Sequence, residues 1–290
     1  MKSFHLFSVS EEFREGVFGQ ILIWLLESIH HMEKNYSDLK LSFDINALAY
    51  DNIIPTFIET KEKNNVFDEK INVKTYKLSN NATFDNNMKS FEIANKIWNK
   101  YFKFSDVIQK SVPEFETNCT LGIHYRGTDK NFDNGQTNYI TQDEFILLVN
   151  DFLAKHSEIT TIYCCSDEEI FIDNIRNTFK NLDIVQYNQT RSANTNQAFF
   201  RNGYIVDKNI KDNLTISAFV DMVALSKCKY VIKTSSALSS FSKIIQPNLQ
   251  IYSVSAMKQP WFPTATIPVY QTDSKEASHI LIRTLQNHVV

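Results

Sequence analysis

Chemistry is most concentrated between Leu121 and Lys130, which read Leu-Gly-Ile-His-Tyr-Arg-Gly-Thr-Asp-Lys. The short apolar and β-branched residues here, with Cys119 and Thr120 ahead of them, predict a buried strand that breaks at Gly127 into polar residues. Such a strand delivers His124, Arg126, Thr128, Asp129 and Lys130 to a loop at its carboxyl end, where ligands sit in open α/β sheets. Arg126 suits a bidentate grip on phosphate and Lys130 a point charge. Gly127 lets the backbone come close to a ligand. A solvated turn held by an Asp129–Lys130 pair accounts for the same residues without a ligand.

The segments that follow must position that loop. After a polar stretch from Asn131 to Tyr139, Thr141 and Glu144 form a capping box for a helix whose apolar face is Phe145, Leu148, Val149, Phe152 and Leu153. Thr160 to Cys165 reads as a strand ending at Ser166-Asp167-Glu168, with Ser166 equally serviceable as a plain helix cap. A helix from Glu169 to Phe179 and a strand from Ile184 to Tyr187 come next; Arg191 to Asn202 reads as a polar flap. Strands and helices alternating over short joints imply a parallel, doubly wound sheet.

Leu214 to Ser226 has the spacing of a buried helix, which makes Asp221 conspicuous, because a buried carboxylate costs several kcal/mol unless paired. The other reading is an Asp at a partly exposed position. Tyr230 to Ser236 is a strand running into Thr234, Ser235 and Ser236 at the start of a helix to Gln246. Hydroxyls and backbone N–H groups at a helix N-terminus make a phosphate site, or simply a capped helix. Leu249 to Val254 closes the sheet, and a terminal helix from Lys275 is expected to pack back across the first domain.

In the first half, Phe4 to Ser8 reads as a strand, and Gly16 and Gly19 as a loop entering the apolar helix that starts at Ile21. The glycines serve a structural turn or a ligand loop, and the full dinucleotide fingerprint is absent. His30 and His31 close that helix, where the dipole favours an imidazolium. Leu39 to Asp44 is a second strand, Lys61 to Lys77 is charged and irregular, and Phe84 to Phe104 is an aromatic helical stretch packing Trp98, Tyr101 and Phe102 in the core. Ser105 to Thr117 is the expected connection between domains spanning 1–115 and 116–290.

Composition narrows the class of protein. The 290 residues carry 30 basic and 33 acidic side chains and are 43% hydrophobic, which fits a packed globular chain and argues against bulk nucleic-acid binding. The four cysteines lie in or beside strands without zinc spacing, as buried thiols do in a reducing compartment. The start of the chain lacks a signal-peptide core and no run spans a bilayer, so a cytoplasmic location is expected.

The string His124-Tyr-Arg-Gly-Thr-Asp-Lys130 resembles the His-x-Arg-x-Thr-Asp-Lys motif of the α-1,6-fucosyltransferases and nodulation fucosyltransferases, and more loosely the protein O-fucosyltransferases. The likeness continues in order over roughly residues 120–250: Asp167 and Glu168 stand at that family's Thr-Asp-Asp, and Asp221 precedes Thr234, Ser235 and Ser236 at the family's interval. The resemblance implies an α/β, GT-B-like fold of two Rossmann-like domains facing across a cleft. It implies an inverting, metal-independent transferase that moves L-fucose from GDP-fucose to a glycan hydroxyl, with no cofactor beyond that donor. The first domain would be the acceptor side, with Gly16 and Gly19 near the ligand. Arg126, with Lys130, would neutralise the leaving diphosphate, unless Asp129 and Lys130 pair with each other to hold the loop. His124 would support the ribose or base, Asp221 would accept from the N1–H and N2–H of guanine, and Asp167 and the 234–236 hydroxyls would complete the donor site. The family's glutamate is Asn134 here, which leaves Asp133 as the replacement base, and its second Arg is Gly127. Those departures keep open another nucleotide sugar, or a binding module without turnover.

Overall fold

The computed structural model describes residues 2–8, 17–45, 56–61, 67–127, 140–189, 191, 208–255 and 261–286. Gly16, Asp129, Lys130, Asp133 and nearly all of the expected flap lie outside them.

In the first half, β1 (Lys2–Ser8) pairs in parallel with β2 (Leu39–Ile45) on one side and β4 (Glu69–Asn72) on the other. Phe4 and Leu6 alternate into the core, as a strand's two-residue period requires. A π-helical turn, Val17–Ile21, leads into α1 (Leu22–Asn35), which is buried along most of its circumference. The stretch expected to be irregular holds β4 and then α2 (Val73–Asn80). β4 is an edge strand that buries only Ile71, so its pattern is mostly polar; α2 is capped by Asn72, whose Oδ1 accepts from Thr75 N at 3.1 Å. The helix α3 (Met88–Tyr101) buries Phe91 and, as expected, Trp98 and Tyr101; Phe102 is buried too, but on the strand that follows and not on the helix. A short antiparallel pair, β3 (Ile58–Thr60) with β5 (Phe102–Phe104), and α4 (Asp106–Ser111) follow the chain toward the second sheet.

That sheet comprises β6 (Thr120–Tyr125), β7 (Thr161–Ser166), β8 (Asp183–Val185), β9 (Tyr230–Lys233) and β10 (Gln250–Ser253), all parallel, in the order β10-β9-β6-β7-β8. β6, β7 and β9 are buried along their whole length, which explains their near-continuous apolar reading. The intervening helices are α5 (Gln142–Lys155), with the expected capping box, α6 (Glu169–Thr178), α7 (Lys208–Lys227), α8 (Ala237–Ile245) and α9 (Lys275–Gln286).

The sheet separates two cores. One face carries Leu121, Ile123, Ile162, Cys164 and Ile232 against α5, α6 and α9. The other carries Tyr163, Cys165 and Val231 against α7 and α8, and its core continues into α1 and α3. The terminal helix therefore corrects the expectation: Ala277, Ile280 and Leu281 join the core beneath α5, and Arg283 bonds Glu144 at 2.8 Å, instead of crossing the first sheet. Among the described residues, no helix is long and apolar enough to cross a membrane.

Candidate active site

The chain runs from β6 outward through β7 to β8, then returns to the other side of β6 for β9 and β10. β6 and β9 are thus adjacent strands whose connections leave in opposite directions, and the crevice beyond their carboxyl ends is a topological switch point. Alternation along the strands places Tyr163 and Cys165, His124 and Lys233 on one face, the face covered by α7 and α8.

The two strand ends are tied together. Thr234 Oγ1 accepts from the backbone N–H of Arg126 at 3.0 Å, and the Thr234 N–H donates to the His124 carbonyl at 3.0 Å. His124 is buried and shares a 2.9 Å hydrogen bond between Nδ1 and Ser239 Oγ of α8. Burial, then the charges of Arg126 and Lys233, push its pKa down to about 3, so the imidazole is neutral. Ser235 and Ser236 are buried beside Thr234. Ser236 is the N-cap residue of α8 but makes no side-chain capping bond.

From β7, Ser166 accepts from the Glu168 N–H at 3.1 Å, a turn within the strand end and not a helix cap. Asp167 Oδ1 accepts from Gly127 N at 3.3 Å and so holds the residue after Arg126. Glu168 is 1% exposed; its Oε2 accepts from Gln142 at 2.5 Å, while its Oε1 is buried without a partner. The carboxyl lies over Gly127 so closely that a Cβ there would come within 2.4 Å of Oε1. Burial, reinforced by the charge of Asp167, raises the pKa of Glu168.

Asp221 is buried, as the spacing of its helix suggested and against the partly exposed alternative. Its carboxylate accepts from Tyr163 OH at 2.8 Å and from Gln189 Nε2 at 3.4 Å. Burial nevertheless pushes its pKa up to about 6, the hydrogen bonds and Arg191 pulling the other way. Gly19 sits inside the π-helical turn and not in a loop ahead of the helix. A Cβ on it would stand 2.9 Å from that of Ala237, the first residue of α8, so the glycine permits close approach of the two helix starts.

Two basic residues escaped the sequence reading. Arg191 is clamped by the carbonyls of Ser166 (3.2 Å) and Tyr187 (2.8 Å) and by Glu169 (3.5 Å), which makes it a brace behind β7 and β8. Lys233 ends β9 in register with His124 and is 1% exposed. The histidines of α1 correct another expectation: His30 stacks on Phe84 and burial lowers its pKa, and His31 bonds Tyr76 OH at 2.9 Å. Among the described residues no three His, Cys, Asp or Glu side chains gather as a metal site would need.

Solved structures share this architecture. The crystal structure of fucosyltransferase NodZ from Bradyrhizobium is similar at a TM-score of 0.51, with 12% identity over 84% of this chain and 93% of that one. The fold is GT-B-like. An Arabidopsis thaliana FUT1 mutant in complex with GDP also matches (TM-score 0.47, 11% identity, 91% of this chain and 71% of that one). So does the apo form of POFUT1 (TM-score 0.47, 8% identity, 86% and 97%). No protein-family model matches the sequence, and a search of curated proteins finds no significant match. In this GT-B-like fold, a groove of about 630 Å³ between α5 and α9, lined by Glu144, Leu147, Lys275, His279 and Ile280, lies on the sheet face away from α8.

Proposed function

We propose that the protein is a glycosyltransferase that moves L-fucose from GDP-fucose to a glycan hydroxyl, with inversion and without a required metal ion. The reading is carried by one juxtaposition: the backbone N–H of Arg126 is bonded to Thr234 Oγ1, two residues ahead of the Ser236 N-cap of α8, at the switch point. A guanidinium beside a helix N-terminus, with hydroxyls and backbone N–H groups, suits the charge that develops on a leaving diphosphate. NodZ and POFUT1, whose structures include GDP-fucose complexes, lend the donor its name.

In this reading Arg126 neutralises the diphosphate, assisted by Lys130, and Asp129 steadies their loop. Asp133 takes the proton of the acceptor hydroxyl. Neutral His124 supports the ribose or base, Asp221 accepts from guanine, and Asp167 positions the Arg126 loop through Gly127. Residues 1–115 form the acceptor side, with Gly16 and Gly19 serving the ligand, and residues 116–290 the donor side. Four free cysteines favour a reducing compartment, the cytoplasm.

The test is thermal stabilisation of the wild type and of Arg126→Ala by GDP, UDP, ADP and dTDP. A ligand at one hundred times its dissociation constant adds about 2.7 kcal/mol of stability. Stabilisation by GDP that Arg126→Ala abolishes is the expected result, followed by turnover of GDP-fucose. Stabilisation by UDP alone removes fucose from the reading; no stabilisation by any nucleotide removes the transferase. Gly127, in place of a second cation beside Arg126, favours one alternative: a binding module, recognised by stabilisation without turnover or donor hydrolysis.

A further inference from the structure

Tyr230-Val-Ile-Lys233 is a fully buried strand, and its last residue is an ammonium with 1% exposure. An ammonium has three protons to place. Lys233 Nζ donates to one acceptor, the carbonyl of Thr234 at 3.1 Å. Lys243, also buried, is settled differently: it donates to the carbonyls of Pro247 (2.9 Å) and Leu249 (2.7 Å) and lies over the ring of Phe91. Lys77, mostly buried, has Glu27 at 2.8 Å. Lys233 has neither solution.

The surroundings of Lys233 aggravate its position. Across β6, the register partner is His124, whose pKa is lowered by the charge of Lys233 as well as that of Arg126. Across β10 its register partner is Ser253, close to Ser255, and from α8 comes the hydroxyl of Ser239 beside His124. No carboxylate among the described residues opposes it, and burial alone lowers its pKa to about 7. A buried ammonium without a counter-ion is driven toward the neutral amine, and an arriving anion restores and completes the charge. The Thr234 carbonyl that Lys233 reaches belongs to the residue whose side chain anchors Arg126 at the start of α8.

We propose that Lys233 is a diphosphate-binding residue: its ammonium and the Arg126 guanidinium take the two phosphates of the donor from neighbouring strand ends. The inference rests on the donor-site reading above and adds to it a cation from β9, behind the helix start. An anion binds the ammonium form, so affinity is proton-linked through Lys233. Arg126 is charged throughout, and His124 is neutral throughout. Asp221 is ionised above pH 7 and burial keeps Tyr163 and Cys165 protonated, which leaves Lys233, among the described residues of this face, as the group that changes charge between pH 7 and 9.

The experiment is calorimetric titration of GDP-fucose, whose diphosphate diester carries no proton in this range, into wild type and Lys233→Met at pH 7, 8 and 9. The wild type is expected to lose about fiftyfold in affinity from pH 7 to pH 9, by the linkage relation, and to take up close to one proton on binding at pH 8. Lys233→Met is expected to bind more weakly at pH 7, with a flat pH profile and no proton uptake. Its unliganded melting temperature should equal or exceed that of the wild type, because an uncompensated buried charge has gone. Equal affinity of both proteins with the same pH profile overturns the role of Lys233 and leaves the donor site standing. A wild type that binds no GDP-fucose refutes the donor-site reading instead; Lys233 is then judged with inorganic pyrophosphate, and equal binding or none by both proteins overturns it.

Discussion

The replacement Asp221→Asn separates what the site costs in stability from what it does. Burial raises the carboxyl of Asp221 from 3.8 to about 6 in the folded protein, despite bonds from Tyr163 and Gln189. The sign follows from linkage: a folded pKa above the unfolded one means that the native state holds the proton more tightly. Its favourable contribution is therefore full below about pH 4 and is lost as pH rises through about 6. Two pKa units correspond to about 3 kcal/mol. Tyr163 and Cys165, both pushed up by burial, stay protonated across this range and add nothing to the change. Asparagine keeps an acceptor for Tyr163 OH and has no proton to lose. The variant should thus gain on the wild type by about 2–3 kcal/mol between pH 4 and pH 8, on the order of 5 °C in the thermal midpoint. Denaturation of both proteins at one-unit pH steps measures it, and the difference cancels every group common to both. The same variant should lose roughly 10- to 100-fold in GDP affinity, since a charged acceptor has gone. A stability difference that is constant with pH, or that turns against the variant above pH 6, would refute the claim that burial dominates at Asp221.

Gly127→Ala should destabilise by about 1–3 kcal/mol, because its Cβ would meet Glu168 Oε1 at 2.4 Å and Tyr125 Cε1 at 2.8 Å; most of the loss should return in the double variant with Glu168→Ala, read as a coupling energy in a double-mutant cycle. Asn95→Ala removes the side-chain amide that donates to the carbonyls of Ile244 (2.8 Å) and Ile245 (2.9 Å) at the end of α8. It should cost about 1–3 kcal/mol in urea denaturation.

What was legible in the sequence was what local pattern encodes. The capping box at Thr141 and Glu144, the mostly apolar strands at 120–125 and 161–166, and the helix that buries Asp221 all follow from spacing within a few residues. β4 and α2 were not legible, because an edge strand with one buried side chain has no apolar alternation to detect. Lys233 was hidden for the opposite reason. A lysine at the end of an apolar strand ordinarily marks where the chain reaches solvent, and only the sheet order, with β10 and β6 on either side, encloses this one. Arg191 and the unpartnered oxygen of Glu168 likewise depend on strand ends brought side by side from distant parts of the chain. The catalytic assignments to Lys130, Asp129 and Asp133 lie in the segment after Gly127, outside the described residues.

The position of α8 shows why a site at one sheet depends on the other half of the chain. Its start carries Ser236 and Ser239, the latter bonded to His124, and Ala237 rests against Gly19 of the π-helical turn. Its end is capped by Asn95 of α3, and Phe241 in its middle meets Trp98 of α3 and Phe18 of the π-helical turn. Helix α8 is thus held at both ends by residues before 100. The aromatic contacts between them belong to the continuous core that runs from the first sheet to the second. A hinge that swung the halves apart would have to break the two Asn95 bonds and expose Trp98 and Phe241, a cost far above that of a loop motion.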